Sequence, residues 1–449
     1  MFPRKTLLLQ TLKEKDMEIK ELYDIFLRHP QVTTDSRDCP QGSIFFALKG
    51  ESFNGNAFAA MALEKGCSYA VIDEKEYAVE GDDRYILTDD CLTTLQMLAR
   101  EHRRAIGTKI IGVTGTNGKT TTKELIATVL SEKYNVLYTQ GNFNNHIGVP
   151  KTLLRLTREH DIAVVEMGAN HPGEIRTLVN IVEPDCGIIT NVGKAHLEGF
   201  GSFEGVIHTK GELYDFLRTR KESIVFIHNE NEHLLGIADG LQLVRYGTTD
   251  DPRLAVKGSV VSCAPYLRFT WQQAQGEPQT VQTHLIGAYN IYNMLAAACI
   301  GLHFGVSVEQ VNHALEGYIP SNNRSQLEHT ADNHLIIDAY NANPTSMNAA
   351  LTNFRDMEVS PKMAILGDMR ELGDSTTEEH QRVVDLLMAS SIDVVWLVGD
   401  AFAQIDSPFR KFANVEEVKA AIAAEKPRGY YILIKGSNGT RLFQLPPLL

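Results

Sequence analysis

The stretch from Thr108 to Lys133 constrains the fold of this chain more than any other segment. It begins with a short apolar run of strand length, Lys109–Val113, and continues into a turn rich in glycine and threonine. Apolar residues then recur at helical spacing, at Leu125, Ile126, Val129 and Leu130. The pattern therefore predicts a strand, a tight turn and a helix in direct succession.

The turn has the composition of a phosphate-binding loop. Glycines let backbone N–H groups crowd around a phosphate, and the helix N-terminus adds partial positive charge. Lys119 would reach the outer phosphates, and the hydroxyl of Thr120 would bind magnesium. Val113 stands where such loops usually have their first glycine, so the nearer Gly115 substitutes for it. The alternative is a turn of this composition with no ligand. The predicted nucleotide-binding residues are Gly115, Thr116, Asn117, Gly118, Lys119, Thr120 and Thr121.

Length and composition limit the class of protein. A chain of 449 residues suggests about three domains of roughly 150 residues each. A net charge of −13 argues against non-specific nucleic-acid binding. The six cysteines are scattered with no Cys-x-x-Cys pair, which is typical of reduced thiols in a cytoplasmic protein. No apolar run approaches the ~18 residues of a membrane span.

The order of apolar and polar segments predicts three α/β domains. Residues 1–104 form a small N-terminal domain, with a first helix over Met17–Leu27. Residues 105–318 form a central P-loop domain with a parallel sheet, to which Leu254–Leu285 adds an antiparallel flap because its apolar residues alternate. Residues 319–449 alternate strands and helices, which predicts a doubly wound, Rossmann-like C-terminal domain.

Polar residues follow the central strands at the edge where parallel sheets bind their ligands. Glu166 ends a buried type of strand and is predicted to bind magnesium, the alternative being a charge that faces solvent. His196 follows the next strand and is a second metal ligand, a base or an ordinary loop histidine. Lys210 begins a helix and is a phosphate contact or a solvated lysine, since an unmodified lysine cannot ligate a cation.

Other polar residues have a structural alternative beside each binding role. Asn290 and Asn293 lie three apart on one helix face, so they read the edge of an adenine or cap the helix. Arg37 binds a phosphate or carboxylate, or lies in a surface turn. Arg324 reaches the nucleotide phosphates or is a surface arginine. The closely spaced Asn142, Asn144 and Asn145 either contact a polar ligand or form turns, and the sequence favours neither.

Ten blocks in this order resemble the Mur ligase family, the ATP-dependent amino-acid ligases of peptidoglycan synthesis. The blocks are Gly115–Thr120, Asn142–Asn145, Glu166–Ala169, Thr190–Gly193 with His196, Lys210–Glu212, Gly287–Asn293, Asn323–Gln326, Asp338–Pro344, Gly367–Gly373 and Lys435–Ser437. Two positions differ from the usual pattern: Tyr289 stands where the family has histidine, and Asn323 precedes Arg324 where glycine is commoner.

The resemblance implies a role for each matched residue. Lys119, Lys210, His196 and Glu166 would be catalytic, with Lys210 converted by CO2 into a carbamate. Two magnesium ions would be held by Thr120, Glu166, His196 and the carbamate. ATP would contact the phosphate-binding loop together with Asn290, Asn293, Arg324 and Asp338. The implied substrate-binding residues are Ser36, Arg37, Lys49, Asn142, Asn144, Asn145, Asn191, Tyr340, Asn341, Asn343 and Lys435.

Within the family, the blocks are most similar to members that join D-alanyl-D-alanine to UDP-N-acetylmuramoyl-tripeptide. The resemblance implies a monomeric cytoplasmic ligase that forms an acyl phosphate and releases ADP and phosphate. A sister ligase that adds the third residue often carries Asp-Asn-Pro-Arg, which is absent here. Folylpolyglutamate synthase shares the plan, but the Asn341–Pro344 block and the N-terminal domain argue against it. The alternative from another class of protein is a P-loop regulatory switch, whose hydrolysis of nucleotide would not depend on a peptide amine.

Overall fold

A computed structural model describes residues 19–320 and 324–449. The start of the predicted first helix, at Met17, and Asn323 of the quoted motif lie outside the described residues. The described chain forms two compact units. The first contains residues 19–112, 135–167 and 177–184, and the second contains residues 113–134, 168–176, 185–320 and 324–449.

The α-helices of the described chain, in order, are α1 (residues 19–28), α2 (Ala59–Glu64), α3 (Cys91–Ile106), α4 (Lys119–Ser131), α5 (Gly148–Leu153), α6 (Glu174–Val182), α7 (Leu197–Phe200), α8 (Phe203–Arg218), α9 (Glu232–Gly236), α10 (Ile291–His303), α11 (Val308–Gly317), α12 (Pro344–Asp356), α13 (Thr376–Met388), α14 (Asp400–Gln404) and α15 (Val415–Ala424).

The strands, in order, are β1 (Val32–Thr33), β2 (Ile44–Phe46), β3 (Lys49–Gly50), β4 (Phe53–Asn54), β5 (Tyr69–Ile72), β6 (Tyr85–Leu87), β7 (Lys109–Thr114), β8 (Val136–Tyr138), β9 (Ile162–Glu166), β10 (Cys186–Ile189), β11 (Ile224–His228), β12 (Gln242–Gly247), β13 (Leu254–Cys263), β14 (Tyr266–Gln273), β15 (Gln279–Ile286), β16 (Gln326–His329), β17 (His334–Asp338), β18 (Lys362–Gly367), β19 (Val394–Val398), β20 (Arg410–Phe412) and β21 (Tyr431–Lys435).

The first unit contains a parallel sheet in the order β1–β2–β5–β6. Its central strand β2 is buried along its whole length, which fits an apolar run covered on both faces. Helix α3 begins after Asp90, whose side chain accepts from the Thr93 amide at 2.6 Å, and ends at Gly107 with a φ of +76°. Strands and helices thus occur together within residues 1–104, as the predicted α/β character of this part of the chain requires.

The second unit contains the predicted flap. Strands β10 to β13 pair in parallel, whereas β13, β14 and β15 pair antiparallel. One face of the flap is buried through alternate residues, among them Leu267, Phe269 and Trp271. Helix α10 packs against α4, β11, β12 and β13 and so covers the same sheet.

The C-terminal part of the second unit is a six-stranded sheet in the order β16–β17–β21–β18–β19–β20. All neighbouring pairs are parallel except β16–β17, which forms an antiparallel edge. Alternate residues of the four central strands enter two apolar cores: Leu335 and Ile337 contribute to one, and Ile336 contributes to the other. A parallel sheet covered on both faces confirms the predicted doubly wound arrangement.

The fold class is therefore α/β, with mixed sheets, as predicted. All six cysteines are free thiols. Among the described helices, none combines the length and apolar character needed to cross a bilayer.

Candidate active site

The phosphate-binding loop lies in the second unit, between the end of β7 and the start of α4. Gly115 and Gly118 have φ angles of +140° and +77°, which only glycine adopts at low cost. The Lys119 ammonium donates to the carbonyl oxygens of Gly115 and Thr116, both at 2.9 Å. Thr120 and Thr121 follow in the first turn of α4 and are buried. The loop therefore combines a cation with a helix N-terminus, as an anion site requires.

The segment after β10 braces this loop. The Thr116 amide donates to the carbonyl oxygen of Asn191 at 2.9 Å, and the Asn117 amide donates to the Asn191 side chain at 2.9 Å. The Thr190 hydroxyl donates to the carbonyl oxygen of Asn117 at 2.6 Å. The Asn191 side chain also donates to that same oxygen at 3.1 Å. Asn191 thus shapes the loop, a role that the sequence did not suggest, and its substrate contact stays a prediction.

We expect Gly115→Ala to distort the loop and to weaken ADP binding by at least about tenfold. A Cβ at Gly115 would lie 2.1 Å from Thr190 Oγ1 and 3.1 Å from the Asn191 carbonyl oxygen. The positive φ adds strain of about 1–3 kcal/mol. Isothermal titration calorimetry with Mg-ADP measures the loss of affinity.

Gly107→Ala is the matched control for this prediction. Gly107 also has a positive φ, of +76°, but a Cβ there would meet no atom within 4 Å. This variant should lose thermal stability and keep its ADP affinity. Equal ADP affinity in the two variants would contradict the role assigned to the loop's shape.

Asn290 precedes α10 and Asn293 lies in its first turn, beside the start of α4. The Thr122 hydroxyl donates to Asn293 Oδ1 at 3.0 Å, and Asn293 Nδ2 donates to Asn290 Oδ1 at 2.7 Å. Asn290 Nδ2 donates to the Ile286 carbonyl oxygen at 2.8 Å. The two side chains lie on the same side and contact one another, as their spacing predicted, and Asn293 links α10 to the helix that follows the loop. Their adenine contact stays a prediction.

His196 and Lys210 lie close to one another around Phe200. His196 Nδ1 is hydrogen-bonded to Glu371, and its ring packs edge-on against Phe200 with centroids 6.2 Å apart. Lys210 Nζ lies 5.1 Å from the centroid of the same Phe200 ring and donates to the Ala169 carbonyl oxygen at 3.2 Å. The structure therefore brings together two of the predicted catalytic residues.

The surroundings of these two residues lower the pKa of each. Burial lowers the pKa of the Lys210 amine well below its usual value, and the nearby Lys119 charge lowers it further. Burial also lowers the pKa of His196, against the opposing effect of Glu371. Both residues are thereby shifted toward their neutral forms, in which nitrogen has a lone pair for chemistry.

The C-terminal segment contacts the loop through Asn343. Its side chain exchanges hydrogen bonds with that of Asn117, with Asn343 Nδ2 to Asn117 Oδ1 at 2.8 Å. Asn343 also caps α12, since its Oδ1 accepts from the Ser346 amide at 2.9 Å. Asn343 therefore links the start of α12 to the phosphate-binding loop.

The remaining predicted residues of the C-terminal segment lie at strand ends and in the loops beside them. Lys435 Nζ donates to Asp338 Oδ2 at 2.6 Å and to the Asn341 carbonyl oxygen at 3.3 Å. The Arg324 guanidinium lies 3.8 Å from the centroid of the Tyr340 ring, a cation–π contact. Lys435, Asp338 and Asn341 therefore form one cluster of predicted residues. Arg324 and Tyr340 form another.

Glu166 and the asparagine block belong to the first unit. The buried Glu166 accepts from Asn144 Nδ2 at 2.8 Å, and its backbone amide donates to the Thr139 hydroxyl at 3.0 Å. Asn145 Oδ1 accepts from the Gly148 amide at 2.9 Å at the start of α5. The carboxylate therefore points into the protein, which excludes the alternative of a charge facing solvent.

The N-terminal candidates also lie in the first unit. Arg37 forms a bidentate ion pair with Asp35, with Nε to Oδ1 at 2.9 Å and Nη2 to Oδ2 at 2.7 Å. The Arg37 side chain is 87% exposed. Lys49 pairs with Asp73 at 2.9 Å and with Glu74 at 2.8 Å. The backbone carbonyl of Ser36 accepts from Lys65. Both cations are thus paired with carboxylates of the protein, and their contact with a ligand stays a prediction.

The sequence did not assign roles to Glu371 or Phe200. Glu371 lies in the quoted Gly367–Gly373 block, so the only signal was its place in that block. Its contact with His196 joins residues 175 positions apart in the chain, which no local pattern predicts.

Three segments of the chain match known family domains. Residues 30–103 match the Mur ligase family catalytic domain, residues 113–301 match the Mur ligase middle domain, and residues 323–438 match the Mur ligase glutamate ligase domain.

Similar proteins cover almost the whole chain. A UDP-N-acetylmuramoyl-tripeptide–D-alanyl-D-alanine ligase of Bacillus subtilis is 35% identical and covers 97% of this chain and 98% of its own length. A MurF structure from Acinetobacter baumannii is 31% identical with a TM-score of 0.82, covering 92% of both chains. A MurF ligase from Thermotoga maritima in complex with ADP is 25% identical with a TM-score of 0.83, covering 93% of this chain and 96% of that one. The chain belongs to the Mur ligase family.

Proposed function

We propose that this protein is an ATP-dependent ligase that joins D-alanyl-D-alanine to UDP-N-acetylmuramoyl-tripeptide, releasing ADP and phosphate. The observation that carries the proposal is the loop at Gly115–Lys119, with its cation at a helix N-terminus. The near full-length similarity to a ligase of that name supports the choice of substrates.

The nucleotide would be held in the second unit. Loop residues from Gly115 to Thr121 would bind the phosphates, and Asn290, Asn293, Arg324 and Asp338 would contact the rest of ATP. The ADP in the Thermotoga maritima MurF structure supports the use of a nucleotide.

Magnesium is part of the proposal, and the chemistry of the available donors fits it. The Thr120 hydroxyl and the Glu166 carboxylate are oxygen donors of the kind that Mg²⁺ prefers. His196 presents a ring nitrogen, and Lys210 would contribute oxygen as a carbamate. We assign these four residues to two ions, which when bound would supply positive charge to the reacting anions.

Carbamylation of Lys210 is supported by its surroundings. A carbamate forms when the lone pair of a neutral amine attacks CO2 and a proton is lost, so a depressed pKa favours the reaction. Lys210 is 2% exposed, and burial lowers the pKa of its amine. The modification would replace a buried amine with a carboxylate beside His196.

The proposed reaction has two steps. An oxygen of the tripeptide carboxylate attacks the γ-phosphorus of ATP, and the bond from that phosphorus to the β–γ bridging oxygen breaks. The products of this step are ADP and the acyl phosphate of the tripeptide. The amine of D-alanyl-D-alanine then attacks the acyl carbon. The tetrahedral intermediate loses a proton and phosphate, which leaves the new amide.

Charge is the main obstacle to the first step, since a carboxylate and a triphosphate repel one another. Lys119 and Arg324 would place cations beside these anions. Holding the reactants in line contributes about 7–11 kcal/mol when the geometry is good. The protein therefore acts chiefly by neutralising charge and by positioning.

The remaining assignments complete the proposal. Residues 1–104 would bind the UDP end through Ser36, Arg37 and Lys49, residues 105–318 would bind ATP, and residues 319–449 would form the ligase domain. The tripeptide and dipeptide would contact Asn142, Asn144, Asn145, Asn191, Tyr340, Asn341, Asn343 and Lys435. We expect a monomer that acts in the cytoplasm. The three family matches, each within one predicted domain, support this division.

A panel of amines tests the proposal. Phosphate release is measured with ATP, UDP-N-acetylmuramoyl-tripeptide and either D-alanyl-D-alanine, diaminopimelate, lysine or glutamate. We expect sustained release and a ligated product with D-alanyl-D-alanine alone. The same assay is repeated with UDP-N-acetylmuramoyl-dipeptide in place of the tripeptide. Product formation with this dipeptide and diaminopimelate or lysine would instead identify a ligase for the third residue.

A further inference from the structure

Two residues with left-handed backbone conformations meet beside the candidate catalytic centre. His196 has a φ of +50° and Glu371 has a φ of +62°. Neither is glycine, and such conformations cost side-chain-bearing residues about 1–2 kcal/mol each. The Glu198 amide donates to the Glu371 carbonyl oxygen at 3.3 Å, which joins the two segments through their backbones. The side chains of these two left-handed residues are hydrogen-bonded to one another.

The hydrogen bond between them determines which nitrogen of His196 carries the proton. A carboxylate oxygen accepts hydrogen bonds, so the tautomer that completes this contact is the one in which His196 Nδ1 carries the proton and donates to Glu371. The Nε2 lone pair is then available, and this is the electron pair through which a neutral imidazole binds a metal. Phe200 packs edge-on against the His196 ring, with centroids 6.2 Å apart.

We propose that Glu371 is a positioning residue of the ligase, which fixes the ring and tautomer of His196 so that Nε2 can bind the metal ion. This inference rests on the proposed function, because it takes His196 as a magnesium ligand. It implies that the segment Gly367–Gly373 must be in place on the loop carrying His196 before the metal site is complete.

A second contact between the same regions provides a matched control. Lys194, two residues before His196, pairs with Glu379 of α13 at 3.0 Å. Glu379 also pairs with Arg382 at 2.8 Å. Glu379→Gln therefore weakens the attachment of this loop without changing the partner of His196. An effect due only to attachment would appear equally in Glu379 and Glu371 variants.

The experiment measures Mn²⁺ binding to the ADP-saturated protein by electron paramagnetic resonance. It compares the wild type with His196→Ala, Glu371→Ala, Glu371→Gln and Glu379→Gln. His196→Ala identifies the Mn²⁺ site that depends on the imidazole. Glu371→Ala should weaken that site by about 10- to 100-fold, the usual effect of removing the partner of a ligating histidine.

The conservative variants distinguish orientation from attachment. Glu371→Gln keeps an oxygen that can accept from Nδ1, so its Mn²⁺ affinity should lie between those of wild type and Glu371→Ala. Glu379→Gln should stay within about twofold of the wild type. Thermal melting shows whether each variant is folded.

Three results would overturn the inference. They are unchanged Mn²⁺ affinity in a folded Glu371→Ala protein, an equal loss in Glu379→Gln, and wild-type Mn²⁺ binding in His196→Ala. If instead the wild type released no phosphate with tripeptide and D-alanyl-D-alanine, the proposed function would fail, while the Mn²⁺ titration would still report on Glu371 and His196.

Discussion

Lys119→Ala is expected to abolish ADP formation, with a loss of at least about 10³-fold in kcat/KM, while the fold stays intact. Removing one preorganised charge from a phosphoryl-transfer site has effects of this size or larger. The Lys119 ammonium donates to two carbonyl oxygens of its own loop, those of Gly115 and Thr116, both at 2.9 Å. Its loss would also remove a charge that lowers the pKa of Lys210.

A coupled assay of ADP release, together with circular dichroism, measures both parts of this prediction. Lys109→Ala is the matched control, because Lys109 is exposed at the start of the same strand β7. The control should keep wild-type turnover. Turnover within about tenfold of the wild type in Lys119→Ala would refute the phosphate-binding role.

Lys210→Ala is expected to be nearly inactive and to be partly restored by acetate or formate. If Lys210 acts as a carbamate, its loss removes a buried carboxylate and leaves space in which a small carboxylate can bind. The wild-type activity should also fall as pH is lowered. A lower pH protonates the Lys210 amine, whose pKa is depressed by burial, and only the neutral amine reacts with CO2.

Initial rates at increasing acetate concentration measure the rescue, with chloride at equal ionic strength as the salt control. Lys221→Ala is the matched variant, since Lys221 is exposed in the turn after α8. It should be fully active and insensitive to acetate. A Lys210→Ala protein that binds Mg-ADP normally but gains no activity from either carboxylate would contradict the carbamate.

Most of the fold could be predicted because it depends on local patterns. The apolar run, glycine turn and helical spacing at Lys109–Leu130 correspond directly to β7, the loop and α4. The alternation in Leu254–Leu285 correctly predicts the flap. The edge strands β16 and β20 were missed because they are short and mostly polar, so neither an apolar run nor a clear alternation marks them.

The candidate site was predictable in its residue types and not in its contacts. Glu166 ends β9 and His196 follows β10, so their region could be located from topology. The prediction that Lys210 begins a helix was wrong, because α8 already begins at Phe203 and Lys210 lies in its middle. The pairing of His196 with Glu371 depends on two left-handed residues far apart in the chain, and sequence patterns contain no signal for either. The bracing of the loop by Asn191 depends likewise on a contact between distant segments.

The transfer of oxygen from substrate to phosphate shows whether the reaction passes through an acyl phosphate. The tripeptide is labelled with ¹⁸O in both oxygens of its reacting carboxylate, and the released phosphate is analysed by mass spectrometry. An acyl phosphate keeps one carboxylate oxygen between carbon and phosphorus, so each phosphate released with D-alanyl-D-alanine should contain one ¹⁸O. Phosphate without ¹⁸O, formed at the same rate as the amide product, would contradict the account.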